Sequence, residues 1–328
     1  VNFRENYLRA LNHQPSEFVP TFFTSTHSVG FGAKNGPWFE KGPDGGGMDG
    51  FGVCWVTPAS GGGAPIPKPD EFLLDDITEW REVVKFPDLN SFDWETEAKK
   101  DLKGCDRAQV VVDYGCGNGI FERLGALMGF ENALYSLLAE PDDCYEFFSA
   151  VTDYKIKIAK MAAKYYKADA FTNYDDIASE QNTFMSPNTY RELIKPHHKR
   201  LNDAVRELGM IPIYHCCGKA EALIEDFIDT GAQAWTSVQP CNDIEALLKN
   251  YGNQITIIGG FNSNGRPGMP DASEDEVRFE VRRCIDTYGK YNSYVLFGAK
   301  IVNSLDPQVI ANAYIPIIDE AVKYTSGK

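Results

Sequence analysis

The stretch IPIYHCCGKA, residues 211–220, gathers an imidazole and two thiols at the end of an apolar run. On a strand, side chains at i and i+2 share a face, so His215 and Cys217 can reach one centre while Cys216 points the other way, toward a helix layer. A neutral imidazole nitrogen and a thiolate are half of a zinc site. The plain alternative is a strand-end histidine beside buried thiols. The spacing is not C-x-x-C, which disfavours a thioredoxin-like redox pair. A third ligand must come from elsewhere, and Cys241, just past the next apolar run SVQPC, falls at the same rim; it could equally be a loop cysteine. Asp175 and Asp176 end the preceding strand. One of them could bind substrate, support a ligand from behind, act as an acid, or hold the first turn of a helix. Glu122 and Asp113 are further carboxyl candidates, whereas His197 and His198 in KPHHKR read as a solvated basic helix face.

The elements that must position these groups follow from periodicity. From residue 108 the chain alternates apolar strands with amphipathic helices: AQVVVDYG, ADAFTNYDD, IPIYHCCG, AWTSVQ, ITIIGGFN and YVLFGA are strands. SPNTYRELIKPHHKRLNDAVRELG between two of them is a helix, with Ser186 as cap, Pro187 at the first position and Gly209 at the end. With VPTFFT at 19–24 and FGVCWV at 51–56 the count reaches eight, which predicts a closed (β/α)8 TIM barrel in one domain over residues 1–328. An open doubly wound sheet is the alternative, disfavoured because no G-x-G-x-x-G follows the first strand. In a barrel, chemistry sits at the C-terminal strand ends, which would deliver Thr24 to His27, Asp113 to Cys116, Asp175 and Asp176, His215 to Cys217, Gln239, Cys241, Asn262, Ala299 and Lys300. The Gly- and Pro-rich segment after the first strand predicts a lid or insertion region over residues 26–104, whose Trp38, Phe39, Phe51 and Trp55 call for burial.

Composition narrows the partners. A formal net charge of −15 over 328 residues argues against nucleic acid or an anionic membrane surface. Eight scattered cysteines form no disulfide framework, and no apolar run approaches the ~18 residues of a membrane span. The expectation is a cytoplasmic protein with reduced thiols.

The run from YDDIASEQNTFMSPNTYRE through H-x-C-G and the V-Q strand end to the late G-G resembles the uroporphyrinogen decarboxylase superfamily, and YVLFGAKIVNSLDPQVI resembles its last strand and helix. The likeness covers roughly residues 105–325 and implies a (β/α)8 barrel. The first strand, VPTFFTSTHSVGFG, lacks the arginines with which true decarboxylases grip porphyrinogen carboxylates. The resemblance therefore points to the branch of corrinoid-linked methyltransferases. Those that methylate coenzyme M hold zinc with H-x-C and a later cysteine, and Ala299 stands at that later position here. GMDGFGVCWV, the PIPKPDEFLLDDITEW segment and GIFERLGALMGFENAL resemble the methyltransferase component of anaerobic aryl methyl ether (veratrol-type) O-demethylases. That resemblance implies methyl transfer from a methoxyarene to cob(I)alamin on a separate corrinoid protein, since no D-x-H-x-x-G for a resident corrinoid occurs here. Expected roles are metal ligation by His215, Cys217 and Cys241, acid catalysis by His215, Asp176 or Glu122, and substrate contact by His27, Trp38, Phe39, Trp55, Gln239 and Asn262. The alternatives are transfer from a methylcorrinoid to a thiol or folate, a porphyrinogen decarboxylase, or a non-catalytic binding barrel.

Overall fold

The computed structural model describes residues 2–30, 39–40, 42, 46–57, 65–302, 304 and 306–326. Seven parallel strands form one curled sheet: β1 (Thr26–Gly30), β5 (Val111–Cys116), β6 (Ala170–Tyr174), β7 (Ile211–His215), β8 (Ala234–Val238), β9 (Thr256–Gly260) and β10 (Tyr294–Phe297), adjacent in that order. A separate antiparallel sheet holds β2 (Gly46–Met48), β3 (Cys54–Val56) and β4 (Ile66–Pro67). The two edges of the large sheet approach each other through a bridge between Thr21 and Leu296, whose N–H donates to the Pro20 carbonyl at 2.9 Å. The result is a TIM-barrel-like α/β fold.

Two strand expectations are corrected. VPTFFT is not a strand: Thr21 caps a helical turn over Phe22–Ser25, accepting from the Thr24 N–H, and the strand begins at Thr26. FGVCWV contributes β3 to the small sheet, so the large sheet has seven strands among the described residues rather than eight. Elsewhere the alternation is as expected. Ser186 accepts from the Thr189 N–H, Pro187 opens the following helix, and Gly209 ends it at φ +79°. Pro196 cannot donate to the preceding turn, and the helix widens over Tyr190–Ile194 just before it.

Inside the sheet, Val111, Ala170, Ile213, Ala234, Ile258 and Val295 pack together over the helix α1 (Phe3–Leu11), whose Tyr7, Ala10 and Leu11 plug the N-terminal end. Hydrogen bonds from Thr256 Oγ1 to the Ala10 carbonyl and from Gln233 Nε2 to the Leu11 carbonyl fasten that plug. The other face of each strand packs on the helices in one large apolar cluster. One end of the barrel is thus closed, and the C-terminal strand ends are left to form the opening. No described helix is long and apolar enough to cross a membrane.

Candidate metal centre and active site

Strand alternation sorts the residues at the ends of β6 and β7. Register pairs Tyr174 with His215, so Asp176 lies level with Cys217 one step beyond. The Cys217 N–H donates to Asp176 Oδ1 at 2.7 Å, and Cys217 Sγ lies 3.5 Å from His215 Nε2. One ligand atom each from Asp176, His215 and Cys217 falls within 4.8 Å of the others. Tyr174 stacks on His215 with ring centroids 4.2 Å apart, fixing the imidazole from below. Burial pulls His215 down to about 3, which keeps the imidazole neutral, as a metal ligand must be. Burial, with the neighbouring Asp175 charge, pushes Asp176 up to about 6, and burial also holds the Cys217 thiol well above its ordinary value. A mixed O, N, S set of three protein donors fits a catalytic zinc-type cation, which keeps a further position for substrate. A cation would also offset the cost of crowding an acid and a thiol in one buried place.

The expected third ligand, Cys241, is not part of this group. It follows the turn after β8, where Asn242 Nδ2 donates to its sulfur at 3.6 Å. The residue that completes the set is Asp176. Cys216 faces outward, fully buried, with its carbonyl accepting from Trp235 Nε1 at 2.9 Å.

Asp175 is the outward partner of Asp176. Its carboxylate accepts from the N–H groups of Ile120, Phe121 and Glu122, the first turn of α2 (Ile120–Met128), and from His198 Nε2 at 2.8 Å. The positive end of a helix favours an anion there. His198 in turn meets Tyr190 Oη at 3.1 Å through Nδ1. His197 and His198 are thus buried, 2% and 3% exposed, and the reading of KPHHKR as a solvated face is corrected.

Asp176 of the metal-type group also lines a cavity of about 990 Å3. Asp176, Glu122, Gln239, Asn118 and Lys300 supply its polar wall. Trp55, Phe72, Phe121, Phe130, Phe184 and Phe261 supply much of its apolar wall. Glu122 is held well above the ordinary carboxyl range by burial and by the Asp176 and Asp175 charges. No arginine is among the described lining residues.

Of the expected substrate contacts, Trp55 and Gln239 line the cavity; Gln239 Oε1 also accepts from the Gly218 N–H. His27 does not: alternation turns it to the outside of β1, where Nε2 meets the Asp101 carbonyl at 2.7 Å. Phe39 packs edge-on to Phe92 instead. Asn262 holds its own turn, accepting from the Gly265 N–H, while Phe261, Ser263 and Asn264 beside it reach the cavity. Trp38 lies outside the described residues. Asp113 is buried within the barrel, accepts from Thr172 Oγ1 at 2.8 Å and is pushed up to about 6 by burial, away from the cavity lining.

Sequence reading missed Asn118, Phe72, Phe130 and Phe184 as cavity residues, and missed the device that fixes the wall. Arg123, fully buried, pairs with Asp49 Oδ2 at 2.7 Å and donates to the Glu40 carbonyl; Lys155 pairs with Glu40 at 2.7 Å. Asp49 also accepts from Trp55 Nε1 at 3.1 Å, so the aromatic wall is held to α2 through charge. The one available signal was two basic residues inside otherwise apolar helix faces.

A curled parallel sheet with its polar groups at the C-terminal strand ends defines a TIM-barrel-like protein with one opening into the barrel. Residues 67–313 match the uroporphyrinogen decarboxylase (URO-D) family, and the chain belongs to it. A methylated-thiol–coenzyme M methyltransferase of Methanosarcina mazei is 27% identical over 169 residues, 50% of this chain and 42% of that protein. The methylcobamide:CoM methyltransferase MtaA of Methanosarcina barkeri is 26% identical over 121 residues, 36% of this chain and 34% of that protein. The matches span less than half the length of these curated relatives. A solved methyltransferase from Methanosarcina mazei superposes with a TM-score of 0.68 at 13% identity, covering 98% of this chain and 99% of that one, a likeness of fold.

Proposed function

We propose that the chain is a corrinoid-dependent methyltransferase that moves a methyl group from an aryl methyl ether to cob(I)alamin on a separate corrinoid protein. The observation that carries this reading is the grouping of His215 and Cys217 with Asp176, which itself lines a cavity with a wall of aromatic side chains. Two curated relatives, named as a methyltransferase acting on methylcobamide and one acting on methylated thiols, support the class of reaction. The aromatic wall suits a planar ring. In this reading residues 26–104 contribute a lid, with Trp55 against the ring.

The reaction breaks the O–CH3 bond, passes the methyl to the reduced corrinoid of the partner and leaves the electron pair on oxygen. The leaving phenolate, with pKa about 10, needs a proton or a positive charge. A zinc ion held by His215, Cys217 and Asp176 would supply that charge as a Lewis acid. Glu122 supplies the proton: it is buried, that burial holds its carboxyl well above the ordinary range, and it lines the same cavity. The aromatic wall excludes water from the methyl group and orients the ring for in-line attack.

A second reading reverses the direction, from a methylcorrinoid to a thiol, and is favoured by the names of the two relatives. One anaerobic experiment separates the two. Reduced corrinoid protein and a panel of methoxyarenes are mixed with the enzyme, and the absorbance of the methylated corrinoid is followed. The ether reading expects methylation with at least one methoxyarene. No change across the panel, together with demethylation of preformed methylcorrinoid by a thiol, overturns it in favour of the reverse reaction.

A further inference from the structure

The loop between β5 and α2, GNG at 117–119, carries a group that the reaction scheme does not use. Asn118 is only 8% exposed, lines the cavity, and its Nδ2 has no hydrogen-bond partner. Buried polar groups are almost always paired, so an orphaned donor on a residue that lines a cavity calls for an acceptor supplied from within it. Its backbone sits at φ +44°, a left-handed conformation that asparagine tolerates better than most residues. Both flanks are clamped. Lys155 Nζ donates to the Gly117 carbonyl at 2.6 Å, and a side chain at Gly119 would stand 2.2 Å from Asp175 Cβ. The amide is therefore held at the wall by buried structure on both sides, beside Glu122 and near Asp176.

The geometry points to Asn118 as the donor that makes the cavity select a ligand with an acceptor oxygen, an aromatic ether rather than a hydrocarbon or a quaternary ammonium ion of similar shape. This deepens the ether reading given above and rests on it. The contrary case is also visible in the cavity. Aromatic rings beside the Asp176 carboxylate would suit a cationic ligand through their π-faces and its negative charge. A cation, however, gives the Asn118 N–H nothing to donate to. An ether oxygen accepts the bond, and replacing it by a methylene leaves the donor buried and unpaired, which costs more than the bond itself contributes.

The test is equilibrium binding of three probes, methoxybenzene, ethylbenzene and N,N,N-trimethylanilinium, followed by calorimetry. It uses the wild-type chain, Asn118→Gly and Asn118→Asp, each first checked for an unchanged thermal midpoint. Glycine adopts the positive φ without strain, and aspartate keeps the shape while removing the donor. Wild type is expected to prefer methoxybenzene over ethylbenzene by about tenfold, and both variants to reduce that preference to about twofold or less. A preference that survives in both variants, or a wild-type preference for trimethylanilinium, overturns the inference. Selectivity and reaction separate in one comparison. Oxygen-selective, Asn118-dependent binding without methyl transfer to a corrinoid protein keeps the selectivity and removes the reaction. Methyl transfer with a selectivity indifferent to Asn118 does the reverse.

Discussion

At the ends of β6 and β7 the chain places two carboxylates side by side, Asp175 and Asp176, and two thiols side by side, Cys216 and Cys217. Each pair is split by strand alternation between the outside and the inside of the barrel. The outer shell, Asp175 with the N–H groups of α2 and His198, is closed on itself: the carboxylate accepts from three N–H groups and an imidazole. The inner shell, Asp176, His215 and Cys217, has one backbone N–H donating to Asp176, crowds an acid and a thiol together, and reaches the cavity through Asp176. Satisfied polar groups hold structure, and under-satisfied ones facing a cavity are poised for a ligand. Residues of identical type one position apart thus take opposite duties. Burial pushes Asp176 up to about 6, so ionised Asp176 costs stability at neutral pH in the metal-free protein.

The largest expected effect breaks the outer shell. Asp175→Asn sets an amide against the helix N–H groups and strips the charge opposite His198, which should cost about 3–5 kcal/mol in chemical denaturation. The inner twin behaves differently: Asp176→Asn should leave metal-free stability within about 1 kcal/mol of wild type, or raise it, while lowering bound metal. Equal destabilisation by the two variants would dissolve the distinction. Next in size is the thiol pair. Cys217→Ala should reduce zinc affinity by about 100-fold or more, read by metal content after dialysis. Cys216→Ala should keep the metal and cost about 1–2 kcal/mol, the removal of a fully buried sulfur from a packed cluster. Retention of zinc in Cys217→Ala would remove the inner shell as a metal site.

This division was half legible in the sequence. Alternation is local, so H-x-C at a strand end announced that His215 and Cys217 share a face and Cys216 does not. That Asp176 would stand third depends on the register between β6 and β7, a non-local pairing that no spacing reveals. The same limit hid the burial of His198, since KPHHKR is polar and its partner Asp175 lies 23 residues away. Helix ends were read well, because Ser186, Pro187 and Gly209 act on their own turn. The first strand was misplaced because VPTFFT has an apolar strand composition, while Thr21 caps a helical turn. Asn118 left a trace, an asparagine between glycines, but the groups that hold those glycines, Lys155 and Asp175, are both distant in sequence.

The smallest predicted effect sharpens the comparison by proton rather than by side chain. His197, on the outer side, packs against Tyr145 and Phe148, and burial with the nearby Arg200 and His198 charges lowers it to about 4. Its unfolded value is about 6.5, so the unfolded chain takes up the proton first. The folded-state preference for the neutral ring is therefore complete above pH 6.5 and is lost as pH falls toward 4. Between pH 6.5 and 5 this should remove about 1–2 kcal/mol, allowing for partial solvent screening. His197→Phe keeps a ring among Tyr145 and Phe148 and deletes the titration. The gap between wild type and variant should therefore shift in favour of the variant by that amount over the same window. His215 is also lowered by burial, but it is present in both proteins and cancels in the difference. A constant gap from pH 6.5 to 5 would mean that the His197 proton is not excluded by the fold. The outer shell would then be open to water, the property by which it is here distinguished from the inner one.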